Sequence, residues 1–396
     1  MSHPQHRHGA RGAVARFATG KPGRNGLRSR LRCAEPGYGL SLVALFLATV
    51  GLTACDPGTR NAPDPQVSEA AALVKVPDLS GGDSSAMLRS RVDSALDGKV
   101  IAWVPVALGM PLTEIWTQVI RAEAEARGMR VEVRDPNWNT TAALQAVSSL
   151  IAEQPDVLVV HNPNVQLYAR ELARAEAAGI IVIQVNMVSN QKTSAYVGAD
   201  WKTVGRLLGE EMLRACGSGS GTSGKIAIVQ GEATSAVSIE QAQAAAEVLA
   251  KDPSIRIVSN QAANWDASKA HDITATVLQQ HPDLCATVGF WGVMQAGAAQ
   301  AVKSAGLQGK VKVYASGGDG KLDCDNVDSG LFTRFLSYDS PSQAKVIVQF
   351  ASFMLQTGLP PSSVRAADYS RLRWMEKGRY DPGLCYDPAR KEAEQS

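Results

Sequence analysis

The feature that most constrains this chain is a passage written twice. Gly98-Lys99-Val100-Ile101-Ala102-Trp103-Val104 recurs as Gly224-Lys225-Ile226-Ala227-Ile228-Val229, and Asn137-Trp138-Asn139 recurs as Asn264-Trp265-Asp266. Pro155-Asp156-Val157-Leu158 returns as Pro282-Asp283-Leu284-Cys285, and Ala178-Gly179 as Ala305-Gly306. All four landmarks keep their mutual spacing within a residue or two. One such match is cheap by chance; four in register are not. The period is far longer than that of a solenoid, so the repeat implies two similar domains. A length of 396 residues fits two domains with tails.

The class of those domains follows from hydrophobic texture. From Lys99 onward, apolar runs alternate with long amphipathic segments, as in βαβ units around a parallel sheet. In the first half strands are expected near 100–105, 130–134, 157–161 and 180–185, with helices near 112–127, 141–153 and 166–177. In the second half strands are expected near 225–230, 255–259, 286–290 and 311–315. Near-continuous runs such as Ile180–Val185 suit strands covered on both faces. Sheets of this kind bind ligands beyond the carboxyl ends of their strands, so functional residues belong in the loops there.

The N-terminal part reads as an export signal. Arg28, Arg30 and Arg32 precede an apolar run from Leu40 to Leu52, which ends at Ala54-Cys55. So short a run with a basic flank is a signal peptide rather than a membrane span. Leu52-Thr53-Ala54-Cys55 resembles the bacterial lipoprotein box, which implies a lipid anchor at Cys55. Asp56 resembles the signal that retains lipoproteins at the inner membrane. Residues 1–54 are therefore expected to be leader and signal peptide, and 55–97 an anchor and flexible tether with a short helix near Ser85–Leu96. The net charge is +2, with basic residues clustered in the first 32 positions. Nucleic acid is not an expected partner.

Beyond this texture the residues are similar to a known family, the type 1 periplasmic binding proteins, near the ribose-binding group. The order strand–PDVLVVHNP–helix–AAGIIVIQVN–AYVGADW–helix carries the resemblance, with the later run LQQHPDLCATVGFWGVMQAGAAQAV. It covers roughly residues 98–345. It implies an α/β fold of two Rossmann-like, flavodoxin-type lobes whose parallel sheets are joined by crossover strands, with the ligand in the cleft. Crossovers are expected near Ser189–Gly198, Leu336–Asp339 and Ala367–Leu372. Lobe one would then take 98–197 and 340–367, and lobe two 198–339 and 368–396. The implied role is extracytoplasmic: a monomer, lipid-anchored at the periplasmic face of the inner membrane, that delivers a small molecule to an ABC permease. A sensor module feeding a receptor is the alternative.

Carried over position by position, the resemblance places ligand contacts at Met110, Leu112, Asn162, Asn186 and Met187 in lobe one. In lobe two it places them at Trp265, Trp291, Asp319 and Tyr338, or Ser337 in place of Tyr338. Amide and carboxylate groups pair with hydroxyls, and an indole face covers the C–H side of a sugar ring. Sugar-binding relatives often carry Asp-Arg where this chain has Asn186-Met187, and Asn-Asp where it has Trp291-Gly292. Their usual arginine is not found in Ser235–Ile239. The ligand is thus expected to be neutral, and less hydroxylated or larger than ribose.

Four cysteines follow Cys55, namely Cys216, Cys285, Cys324 and Cys385; an even number in an exported chain suggests two disulfides. Cys216 ends a helix and Cys285 opens a strand on one side of the second sheet, while Cys324 and Cys385 fall in late lobe-two segments. Cys216–Cys285 with Cys324–Cys385 is the pairing favoured among three connectivities.

Other motifs carry less. Gly219–Lys225 imitates a P-loop, but Ile226 replaces the required hydroxyl residue and a strand follows instead of a helix, so a flexible connector is expected. Asp319, Asp323, Asp325 and Asp328 lose EF-hand spacing after Asp325, which favours a solvated turn. His161, His271 and His281 lack ligand spacing, though His161 sits at a strand end. Trp103 and Trp116 are expected in the core, and Trp138, Trp265 and Trp291 in loops at strand ends, where ligand contact and packing are both open. No catalytic motif, metal site or cofactor is read, so a binding protein is expected rather than an enzyme.

Overall fold

The computed structural model describes residues 84–389. The expected signal peptide, Cys55 and most of the expected tether lie outside the described residues.

The first half folds as α1 (Ser85–Leu96), β1 (Val100–Val104), α2 (Pro111–Glu125), β2 (Arg130–Val133), α3 (Thr140–Glu153), β3 (Val157–Val160), α4 (Ala169–Ala177), β4 (Ile181–Val185) and β5 (Ala195–Gly198). The second half follows as α5 (Trp201–Cys216), β6 (Lys225–Gln230), α6 (Ala236–Leu249), β7 (Arg256–Ala262), α7 (Ala267–Gln280), β8 (Ala286–Gly289), α8 (Gly292–Ser304), β9 (Lys312–Gly317), α9 (Lys321–Asp328) and β10 (Arg334–Ser337). The chain then adds α10 (Ser340–Thr357), β11 (Ala366–Tyr369) and β12 (Arg373–Met375).

These strands make two six-stranded sheets, ordered β11-β5-β4-β3-β1-β2 and β12-β10-β9-β8-β6-β7. The winding is the same in both, and only β12 runs antiparallel to its neighbour. The chain therefore has the α/β, two-lobed architecture that its repeat implies. The repeat persists down to single contacts. Lys99 Nζ binds the Asp156 carboxylate at 2.9 Å, and Lys225 Nζ binds that of Asp283 at 2.8 Å, each joining the foot of one strand to the approach to the next. Asn139 accepts from the Ala142 N–H at the start of α3, and Asp266 from the Lys269 N–H at the start of α7, both at 2.9 Å. Short side-chain acceptors at this position satisfy amides that the first helical turn leaves free.

The chain passes between sheets three times. The segment Ser189–Gly198 ends in β5, still a strand of the first sheet, and the change follows at Ala199–Asp200; α5 then packs on α6, β8 and β9. After β10 the chain returns, and α10 packs on α2, β4 and β5. β11 extends the first sheet through Tyr369, so Asp368 and Tyr369 pair there with Val197 and Gly198. The chain then joins β10 through β12.

Three local expectations are corrected. The short helix α1 is not free tether: Leu96 is buried in the core and the helix packs on α10. Helix α4 begins at Ala169, not near 166, because Asn164 Oδ1 accepts from the amides of Gln166 and Leu167 and holds them in a turn. The aspartates around 319–328 are not a solvated turn. Asp323, Asp325 and Asp328 lie on α9, and Asp319 and Asp323 are buried.

Two disulfides brace the second lobe. Cys216–Cys285 ties the end of α5 to the foot of β8, and Cys324–Cys385 ties α9 to the C-terminal segment. Their Cα separations of 6.0 and 5.8 Å suit the bond.

Candidate functional site

The carboxyl ends of both sheets face one cleft. Asn186, just after β4, adopts a left-handed backbone with φ 60°. That conformation is tolerable for asparagine and is held by its surroundings. The Asn186 carbonyl accepts from the Trp201 indole N–H at 2.6 Å and from the Tyr196 hydroxyl at 3.0 Å, while its N–H donates to Val197 O at 2.8 Å. A Cβ at Gly198 would stand 2.2 Å from the Tyr196 hydroxyl, so the clamp needs glycine there. Its product is an asparagine side chain aimed into the cleft, with Oδ1 buried and unpartnered.

From lobe one the inner chamber is walled by Val106, Met110, Leu112, His161, Asn186 and Met187. From lobe two come Val237, Trp265, Phe290 and Trp291, with Trp201 and Tyr338 from the crossovers and Trp138 at the mouth. None of these side chains carries a charge at neutral pH. Burial lowers the His161 pKa to about 3, so the ring is neutral, and neither nitrogen has a partner. It offers one donor and one acceptor. The chamber holds about 30 Å³, room for about two water molecules. It opens past Met110, Trp138, Trp265 and Trp291 into a vestibule of about 550 Å³ whose other walls include Thr140, Asn164, Glu232 and Asp266.

The lobes touch across this cleft. The Val165 N–H donates to Thr234 O at 3.3 Å, and the Leu112 N–H donates to Asp319 Oδ1 at 3.2 Å. The second contact is a helix cap supplied from the opposite lobe. Met110 begins α2 without a side-chain cap, and Asp319 satisfies the free amide at its second position. Asp319 is fully buried, and burial pushes its carboxyl up to about 7. The Leu112 N–H and the nearby Trp291 indole restrain the rise by favouring the ionised form. That indole stops short of ordinary hydrogen-bond geometry, so its N–H is left without a partner. Asp323 accepts from the Asp319 N–H at 2.6 Å, and burial, with Asp319 beside it, pushes its carboxyl well above the usual carboxylate range. Among the described residues no group of His, Cys, Asp and Glu side chains could hold a metal ion.

Two sheets of identical winding, with a cleft between their carboxyl ends, are matched by the model of the periplasmic binding protein domain over residues 101–359. The chain belongs to that family. The D-ribose/D-allose-binding protein of Pseudomonas aeruginosa is 28% identical over 200 residues, which cover 49% of this chain and 60% of that protein. The ribose import binding protein of Bacillus subtilis is 24% identical over 205 residues, covering 52% and 64%. These matches span less than two thirds of either relative. The myo-inositol binding protein of Caulobacter is similar with a TM-score of 0.64 at 20% identity, over 70% of this chain and 93% of that one. A galactofuranose binding protein gives 0.64 at 20% identity, over 75% and 99%. The likeness to periplasmic binding proteins of known structure thus extends over both lobes.

Most of the expected contact residues meet in this chamber: Met110, Leu112, Asn186, Met187, Trp265, Trp291 and Tyr338 all line it. Two expected contacts are placed otherwise. The Asn162 side chain lies behind the wall, its Nδ2 donating to Gln184 Oε1 at 3.0 Å and Met187 O at 2.6 Å, so it braces the loop that carries Met187. Asp319 caps α2 across the cleft. Ser337 Oγ accepts from the Asp339 N–H at 3.3 Å and is absent from the chamber wall. The sequence reading missed Trp201, whose signal was its place directly after the first crossover. Trp138 was read only as a loop tryptophan open to contact or packing and was left out of the ligand set, although the repeat pairs it with Trp265.

Proposed function

We propose that the protein is the extracytoplasmic solute-binding component of an ABC importer, taking a small neutral ligand of the sugar or polyol class between its lobes. The observation that carries this reading is the uncharged, aromatic chamber to which both lobes contribute and which is complete only where they meet. Indole faces cover the C–H surface of a ring, while Asn186, His161 and Tyr338 supply the few directional groups. Relatives named for ribose and allose and a structural neighbour bound to myo-inositol point to the same ligand class. The role is binding and delivery without turnover, by a monomer held at the periplasmic face of the inner membrane through a lipid on Cys55. The nine expected contacts, Asn162 and Asp319 included, are proposed as the ligand set, those two acting through the wall and through closure.

A thermal-shift screen against sugars, polyols and related metabolites tests the reading. A ligand that binds only the folded state raises the midpoint, by about 2.7 kcal/mol of stabilisation at a hundredfold excess over Kd. A hit among neutral polyhydroxy compounds is expected, and hits confined to charged metabolites would overturn it. For the anchor, Cys55→Ser is expected to shift the protein out of the membrane fraction or leave an unprocessed precursor. A wild-type protein that fractionates as soluble with another N-terminus refutes the anchor.

A further inference from the structure

Trp138 is an anomaly that the proposed ligand set does not absorb. The residue is 46% exposed, and its backbone is left-handed with φ 64°. A bulky residue in that region is strained, and an exposed indole gains little packing in return. Trp265, its equivalent in the repeat, has the same φ of 64° but rests against Trp291, ring centroids 6.3 Å apart. The two are thus one structural position written once per lobe. Both border the inner chamber and both border the vestibule.

The two compartments differ in chemistry. The inner wall offers a ligand Asn186, His161 and Tyr338, because the Trp201 N–H is already spent on Asn186 O and the Trp291 indole N–H is turned to Asp319. A fully hydroxylated ring seated there would leave hydroxyl groups without partners. The vestibule adds Thr140, Asn164, Glu232, Asn264 and Asp266. Asn164 Oδ1, Asp266 Oδ1 and the Glu232 carboxylate already accept from the chain, so a hydroxylated ring would meet Thr140, Asn264 and the remaining lone pairs of those three.

Resting on the solute-binding reading, we propose that Trp138 and Trp265 are paired jaws, one per lobe, that close on a two-part neutral ligand. An apolar or aromatic ring lies between the indoles over the inner chamber, and a hydroxylated ring lies in the vestibule. This is the chemistry of an aryl glycoside. Trp138 then determines specificity: a free sugar lacks the ring that its indole would grip.

Isothermal titration of the full mature chain with phenyl β-D-glucopyranoside, phenyl β-D-galactopyranoside and phenyl β-D-ribofuranoside, beside glucose, galactose and ribose, tests the proposal. At least one glycoside is expected to bind about tenfold or more tighter than its parent sugar. Trp138→Ala is expected to remove most of that advantage, Trp138→Phe to keep it, and both to melt near the wild type because the indole is half-exposed. Free sugars binding as tightly as their glycosides, or a Trp138→Ala variant with unchanged glycoside affinity, would overturn the proposal. If free sugars bind and no glycoside does, the jaws fall and the solute-binding reading stands. If neither these compounds nor the sugars and polyols of the thermal screen bind, both fall.

Discussion

At the scale of single residues, the tryptophans separate into those that hold the fold and those that face the cleft. Trp103 on β1 is fully buried, and its indole N–H donates to Thr117 Oγ1 at 2.9 Å. Trp116 on α2 is equally buried and donates to Gln343 Oε1 at 3.1 Å. Trp265 instead lies over Gly231, where a Cβ would stand 2.1 Å from its ring. Trp103→Ala should therefore cost about 3–5 kcal/mol of stability through a core cavity. Trp265→Ala should cost little stability and about 2 kcal/mol or more of ligand binding, roughly thirtyfold in affinity. Gly231→Ala should act like Trp265→Ala by pushing the indole off its seat. Thermal melts and titration of the tryptophan fluorescence with a screened ligand separate the cases. A Trp265→Ala variant that unfolds, yet binds normally where folded, would show that Trp265 is a packing residue.

At the scale of elements, the apolar runs reported the strands well because every residue of β3, β4 and β8 is buried, on both faces of the sheet. The repeat reported the equal winding of the sheets, since the same caps and ion pairs recur at the same offsets. Less legible were contacts that join distant segments. Asn162 has the right type and place for a ligand residue, but its neighbour Gln184, one strand away, claims its amide. Likewise, the buried state of Asp323 depends on α9 folding against α8 and β10, which no local pattern of four aspartates reveals. The disulfides test the element scale directly. Replacing Cys216 and Cys285 together by alanine frees a link spanning 69 residues between α5 and β8. It should cost about 2–5 kcal/mol, seen as a lower melting midpoint. Replacing Cys324 and Cys385 instead frees the segment after β12, so limited proteolysis should trim the C-terminus while both sheets stay resistant. Loss of the whole second lobe to protease in that variant would show that the bond carries more than the tail.

At the scale of the molecule, closure and protonation meet at Asp319. When the lobes part, Leu112 loses its cap and Asp319 regains water, so the acid returns toward its ordinary range near 4. Where the lobes meet, Asp319 is buried beside Leu112, Trp291, Asp323 and Tyr338, with its pKa up to about 7. A carboxyl whose pKa is raised on folding binds its proton more tightly in the folded form. Its contribution is fully present below about pH 4 and is lost as the pH rises through about 7. His161 has the opposite sense. Its pKa is lowered to about 3, so it lowers stability as the pH falls below about 6.5. The two trends overlap in the wild type, and a difference against one variant separates them. Asp319→Asn keeps an oxygen to accept from Leu112 and removes the titration. Its stability relative to the wild type should therefore rise between about pH 4 and 7 and level off above, by up to a few kcal/mol. Asp319→Ala removes the acceptor as well, and should shift the ligand-free protein toward a more open form with a larger radius of gyration in small-angle scattering. Denaturant melts at intervals from pH 4 to 8 decide the first point. Wild-type and Asp319→Asn stabilities that run parallel across that range would mean that Asp319 does not couple the proton to the meeting of the lobes.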